Sequence, residues 1–263
     1  MLKNPATAPL PPNCERLPAQ RQFLINGTTT VDGFDFSGWD VLVYGGSPTI
    51  TNCKFERGFL TWRHDGQGNG GTVRYCEFDQ QNAPDNRCLF IVFRSGVYEI
   101  EYNVFRNSRH MHFQFTNGQP GASYIVRYNL MENAGMGAQQ GAHGDWLQMF
   151  GDYTVNDVRI EFNTVYQNST IAATQGYSLN ASDPTVQQGN ISKNTMVVKT
   201  NTNIGILISR KWISGTFTVS DNYVDPSYPR FRFLDRTEHW PGPHNGSIVV
   251  SGNKNMRTGA AIS

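Results

Sequence analysis

Charge is scarce in this chain. Asp, Glu, Lys and Arg make up 16% of its 263 residues, against the ~25% usual for a soluble domain. The 22 basic residues nearly cancel the 21 acidic ones, leaving +1. A dedicated nucleic-acid binder carries a strong basic excess, so nucleic acid is not the partner to expect. Long apolar runs are absent too: none approaches the ~20 residues of a membrane span, so no membrane partner is expected. The opening MLKNPATAPLPP has a Lys but no apolar segment behind it, so it does not read as a secretory signal. Cysteine is rare, with four residues, Cys14, Cys53, Cys76 and Cys88. That is too few for a disulfide scaffold at this length, and none sits at zinc-site spacing, so they read as small buried hydrophobes. No acidic cluster has the density of a Ca²⁺ site, and no Gly-rich phosphate loop precedes a helix. The expectation is no cofactor; Ca²⁺ is the one metal to consider, without a clear site. No segment holds a 3.6-residue apolar period over ten residues, which excludes a helical protein.

What is present is proline at the start and a repeat thereafter. Pro5, Pro9, Pro11, Pro12 and Pro18 are five of the 13 prolines. That density opposes helix and sheet, and marks residues 1–22 as an extended arm, held against a partner chain or its own body. From there on, an aliphatic residue, two variable ones, Asn or Cys, a variable one and an apolar one recur. The copies are Ile50…Cys53…Phe55, Val73…Cys76…Phe78, Ile100…Asn103…Phe105, Val126…Asn129…Met131, Ile160…Asn163…Val165, Ile191…Asn194…Met196, Val219…Asn222…Val224 and the weaker Val250…Asn253…Asn255. The fourth positions are spaced 23, 27, 26, 34, 31, 28 and 31 residues apart. A constant short strand with variable spacing is the mark of a coil whose turns differ in loop length. Each copy is too short to bury its own apolar face, so the copies must stack. At the bend, Asn tolerates unusual backbone angles and its amide can bond the same amide one rung above. Second strands lie between the copies, among them Phe59 to Trp62, Met111 to Phe115, Trp146 to Phe150 and Ile204 to Ile208. The expected fold is all-β: a single-domain right-handed parallel β-helix of about nine rungs over residues 23–263, with a Pro-rich N-terminal arm.

On these residues the chain resembles the pectate-lyase-like superfamily of parallel β-helices, which holds polysaccharide lyases, glycoside hydrolases, epimerases and phage tailspikes. The resemblance covers roughly Val31 to Asn255 and speaks to fold far more than to function.

The candidate chemistry gathers around residues 141–150. In a strand, His143 and Asp145 share one face, so Asp145 can raise the imidazole pKa or orient its tautomer. This stretch resembles the H-x-D-G-I-Q motif of lyase-related β-helix proteins, with Trp146 where Gly is usual. A structural pair closing a long loop is the competing reading. A polar stripe across the second strands adds Arg63, His64, Arg94, His110, His112, Gln114, Gln148, Tyr177, Asn180, Arg210 and Lys211. Such a groove suits an acidic glycan, since Arg grips carboxylates while Tyr and Trp cover sugar faces. As a lyase it would use His143 or His112 as base, beside Asp145, with Arg94 or Arg210 neutralising the uronate. Gln148, Tyr177 and Trp146 would line the substrate path. A hydrolase needs paired carboxylates at defined separation, and none stands at a diagnostic spacing. The segment from Asp235 to Gly246, aromatic and Pro-rich, reads as a terminal loop or a lid.

The expectation is therefore a surface-exposed spike of tailspike type, on a virion or extracellular, that binds an acidic polysaccharide, with lyase-like cleavage open. Capsid or fibre proteins would dock on residues 1–22, and a homotrimer is the assembly to test. The alternative is a catalytically inert virion protein using the rod as a rigid module.

Overall fold

The computed structural model describes residues 1–81, 89–92, 95–116, 121–137, 144–150, 154–169, 175–181, 185–200, 202–208, 212–236 and 246–262, without the side chains of 64–68, 89–92, 150, 180, 181, 226 and 236. Among the described residues, the regular structure is strand apart from 3₁₀ turns at Pro18–Gln20 and Trp212. The strands form sheets of ten, nine and eight members among the described residues.

The chain visits the three sheets in cyclic order. Asp40–Gly46 lies in the first, Thr49–Thr51 in the second and Lys54–Glu56 in the third. Phe59–Gly68 then returns to the first sheet and pairs in parallel with Asp40–Gly46. Gly71–Arg74 and Glu77–Asp79 repeat the step on the other two. Among the described residues, every pairing between successive turns is parallel, so the architecture is a parallel β-solenoid. The repeated motif is its corner from second sheet to third. The aliphatic residue ends the second-sheet strand, and the apolar residue centres the third-sheet strand.

The core is a set of columns, one residue per turn. Phe36, Phe55, Phe78 and Phe105 stack with ring centroids 5.3, 4.4 and 4.7 Å apart. Ile50, Val73, Ile100, Val126, Ile160, Ile191 and Val219 form a second column, each almost fully buried. Facing inward between Val158 and Phe217 is Gly189, where a Cβ would meet the Phe217 ring at 2.7 Å. A side chain here would also collide with the Val158 carbonyl oxygen, at 2.5 Å.

The corner amides form a ladder. Asn103, Asn129, Asn163, Asn194 and Asn222 each donate both a backbone N–H and a side-chain N–H to the Oδ1 of the next Asn, at 2.8–3.1 Å. Each Nδ2 also donates to the carbonyl of an aliphatic residue one turn back, as Asn163 does to Val126 at 2.9 Å. The expected backbone reason for Asn needs correcting, however. The positive φ falls on the residue before it: Asn52, Tyr75, Tyr102, Tyr128, Phe162, Lys193 and Asp221 all lie between 54° and 59°. Asn is required for its amide, and its neighbour makes the bend.

The Pro-rich start is seated on the coil itself. Cys14–Leu17 pairs antiparallel with Gln22–Asn26 and forms the edge strand of the first sheet. Lys3 makes a parallel bridge to Phe34, and Arg16 donates to the carbonyls of Pro5 and Ala8. These residues cover two edges at one end of the rod.

Candidate functional site

The stripe drawn across the second strands divides into an inner and an outer part. Asp145 and Trp146 precede the strand Leu147–Phe150, and His112 precedes Phe113–Thr116. Backbone N–H groups tie these entries together: His112 donates to the Asp145 carbonyl at 3.3 Å, and Trp146 to that of Gly176 at 2.9 Å. Just after the bend from the third sheet, side chains here turn inward. His112, Asp145, Trp146 and Tyr177 are 0–1% exposed. The Trp146 ring meets Tyr177 edge-on at 5.3 Å and lies against Gly176, where a Cβ would come within 2.7 Å of it.

Burial decides the protonation of this cluster. It pushes the Asp145 carboxyl up to about 8, so the group is mostly neutral at pH 7, and both its oxygens lack a hydrogen-bond partner among the described residues. It pushes the His112 imidazole down to about 3, keeping the ring neutral with its Nδ1 3.0 Å from the Ser108 hydroxyl. It pushes the Tyr177 phenol far above its ordinary range. All four side chains are enclosed within the core and do not line an open groove. Gln114 Nε2 donates a hydrogen bond to Gln148 Oε1 at 3.1 Å, and Arg63 and His110, both half-buried, are the other described members of the stripe. His143, Arg94, Arg210 and Lys211 lie outside the described residues, as do the side chains of His64 and Asn180. Among the described residues, no three His, Cys, Asp or Glu converge as a metal site, and no helix is long and apolar enough to cross a membrane.

An open feature lies on a face that sequence reasoning did not single out. The second sheet presents a shallow depression of about 380 Å³ lined by Asp157, Arg159, Gln188, Gly189, Asn190, Ser192, Thr216, Thr218 and Ser220. Strand alternation puts polar residues outward, and register stacks them in rows: Asp157 beside Gln188, and Arg159 beside Asn190 and Thr218. Arg159 Nε donates to the Asp157 carboxylate at 2.6 Å, and Asn190 Nδ2 to Glu161 at 3.1 Å. The Oδ1 of Asn190 has no partner among the described residues. The signal for this site was the run Thr216-Phe-Thr-Val-Ser220, whose polar alternate positions are all hydroxyls.

An aromatic ridge runs along the corner bordering that sheet. Tyr75, Tyr102, Tyr128 and Phe162 stack outside the coil at 5.3, 4.8 and 4.9 Å, and Lys193 Nζ lies 5.0 Å from the Phe162 ring. All four aromatics are 39–55% exposed, and all four hold a left-handed backbone that bulky side chains disfavour. Lys193 and Asp221, at the same corner, directly follow Ser192 and Ser220 of the depression.

No family model, curated protein or solved structure matches this chain.

Proposed function

We propose that this protein is a spike-type binding module for polysaccharide, built on a single right-handed parallel β-helix of about nine rungs of the pectate-lyase-like kind. Handedness follows from the near-universal right-handed crossover between parallel strands. The observation that carries the functional reading is the hydroxyl- and amide-lined depression on the second sheet. Thr216, Thr218, Ser192, Ser220, Gln188 and Asn190 offer donors and acceptors at rung spacing, which suits a ligand rich in hydroxyls. The Arg159–Asp157 pair adds a cation that a uronate could share, and this is the support for an acidic glycan. An extracellular or virion setting fits a ligand of that kind.

Binding without turnover is the form of this reading that the described residues favour, because His112 and Asp145 are too deeply enclosed to meet a substrate atom. The test is titration calorimetry against a panel of neutral and acidic polysaccharides, with ultraviolet absorbance followed for unsaturated products. Binding is expected, stronger for uronate-containing chains, and Thr218→Trp should weaken it about tenfold or more by filling the depression. Retained affinity in Thr218→Trp would sink the site. Absence of binding across the panel would sink the function and leave the inert rod.

A further inference from the structure

The corner column that carries the amide ladder changes chemistry in its first two turns, where Cys53 and Cys76 replace Asn. The two thiols occupy the places of the amide nitrogens. Cys76 Sγ contacts the carbonyls of Arg74 and, one turn back, Ile50, at 3.4 and 3.7 Å; Cys53 Sγ contacts those of Thr51 and Val31 at 3.2 and 3.7 Å. Register sets the cysteines directly opposite each other. Thr51 pairs with Arg74 and Lys54 with Glu77, and Glu77 N–H donates to the Cys53 carbonyl at 2.9 Å. Strands in a sheet lie ~4.8 Å apart, inside the ~4.4–6.8 Å Cα separation that a disulfide spans. Both residues are free thiols and 2% exposed.

We propose that Cys53 and Cys76 are a disulfide-forming pair, closed by a small-molecule disulfide such as oxidised glutathione while the first turns assemble or open. The Cys53 thiolate attacks one glutathione sulfur, breaking its S–S bond and releasing a glutathione thiolate. The Cys76 thiolate then attacks the Cys53 sulfur of the mixed disulfide and releases the second. The two protons leave the cysteines and end on the two glutathiones; the protein is oxidised by two electrons and the glutathione disulfide reduced by two. The hydrogen bond from Cys76 to Cys53 favours the thiolate on Cys53, while burial holds the Cys76 thiol well above its usual range. Exchange must therefore begin with the turns open, and closure afterwards shields the bond from reductant. The amide ladder ends where Asn103 Oδ1 accepts the Cys76 N–H at 2.9 Å. The covalent link would extend cross-turn bonding one turn further, to Cys53.

The test is to refold the full chain with a glutathione redox couple, alkylate it in denaturant and map the peptides by mass. The expected product is a Cys53–Cys76 cross-linked peptide two hydrogens lighter than its parts. The melting temperature should rise by several degrees on oxidation and return on reduction. Cys53→Ser, whose hydroxyl can keep the carbonyl contact, should remove both effects with an unchanged circular dichroism spectrum. Alkylation of both Cys53 and Cys76 in the oxidised sample would overturn the proposal, as would a bond from either to Cys14 or Cys88.

Discussion

At the scale of single residues, the corner amides bear the most exact demand. Asn163 uses its whole side chain: Nδ2 serves Val126 and Asn194, and Oδ1 accepts two N–H groups from Asn129. Replacing it by Ala leaves buried donors and an acceptor unpaired on both neighbouring turns. Asn163→Ala should destabilise by about 1–3 kcal/mol in chemical denaturation, and a loss below ~0.5 kcal/mol would deny the ladder a structural role. Asp145 and His112 give the molecule a pH profile. Asp145 holds its proton more tightly folded (about 8) than unfolded (3.8), so its contribution is full at low pH and lost as pH rises through 8. His112 is the reverse, about 3 folded against 6.5 unfolded, so its contribution is full above 6.5 and lost as pH falls towards 3. Together they place maximal stability on the acid side of neutrality. Between pH 3.8 and 6.5 the two slopes oppose each other, so melting temperature should hold level there and fall between pH 6.5 and 8, and Asp145→Asn should flatten that falling limb. An unchanged slope in the variant would assign the dependence elsewhere. His112 and Asp145 were visible in the sequence as unusual residues. Their inward orientation was not, because strand alternation ceases to predict direction at a bend.

At the scale of elements, the aromatic ridge weighs two opposed costs. A left-handed backbone costs a bulky residue roughly 1–2 kcal/mol, whereas each stacked pair returns about 0.5–1.5 kcal/mol. Tyr102 stacks on both sides and Tyr75 on one among the described rings. Tyr75→Asn should thus be near neutral in thermal unfolding, and Tyr102→Asn should cost about 1 kcal/mol. Equal losses at the two positions would mean that stacking does not hold the ridge. The aligned repeats already contained this column, one residue before each Asn. It carries little periodic signal, because that position also takes Asn, Lys and Asp and lies outside the buried pattern. The strands of the repeat were legible for the opposite reason: their apolar residues recur at fixed offsets however long the intervening loop.

At the scale of the whole molecule, the question is how a stack of parallel turns ends. An open sheet edge invites pairing with another chain. Here Cys14–Leu17 covers the first sheet, and Lys3 extends the third through residues 33–35. At the other end, Lys254 bridges Ala261 and Ile262 packs against the core. Removing residues 1–17 should lower the melting temperature by several degrees and produce concentration-dependent association in light scattering. A shortened chain that stays monomeric and melts unchanged would show that the segment is no cap. Proline density marked the segment as extended, but could not say what it lies against.

The sequence by itself determined the turn: strand, bend with an amide, strand, with variable loops between turns. These are local patterns, repeated often enough to outweigh any single exception. Tertiary structure alone decided which turn residues stand side by side. Loops of different length separate neighbours on the coil by 23 to 34 residues, so register is set by core packing and hydrogen bonds between turns. The sealed His112 and Asp145, the polar depression around Asn190 and the thiol pair at Cys53 and Cys76 all follow from that register.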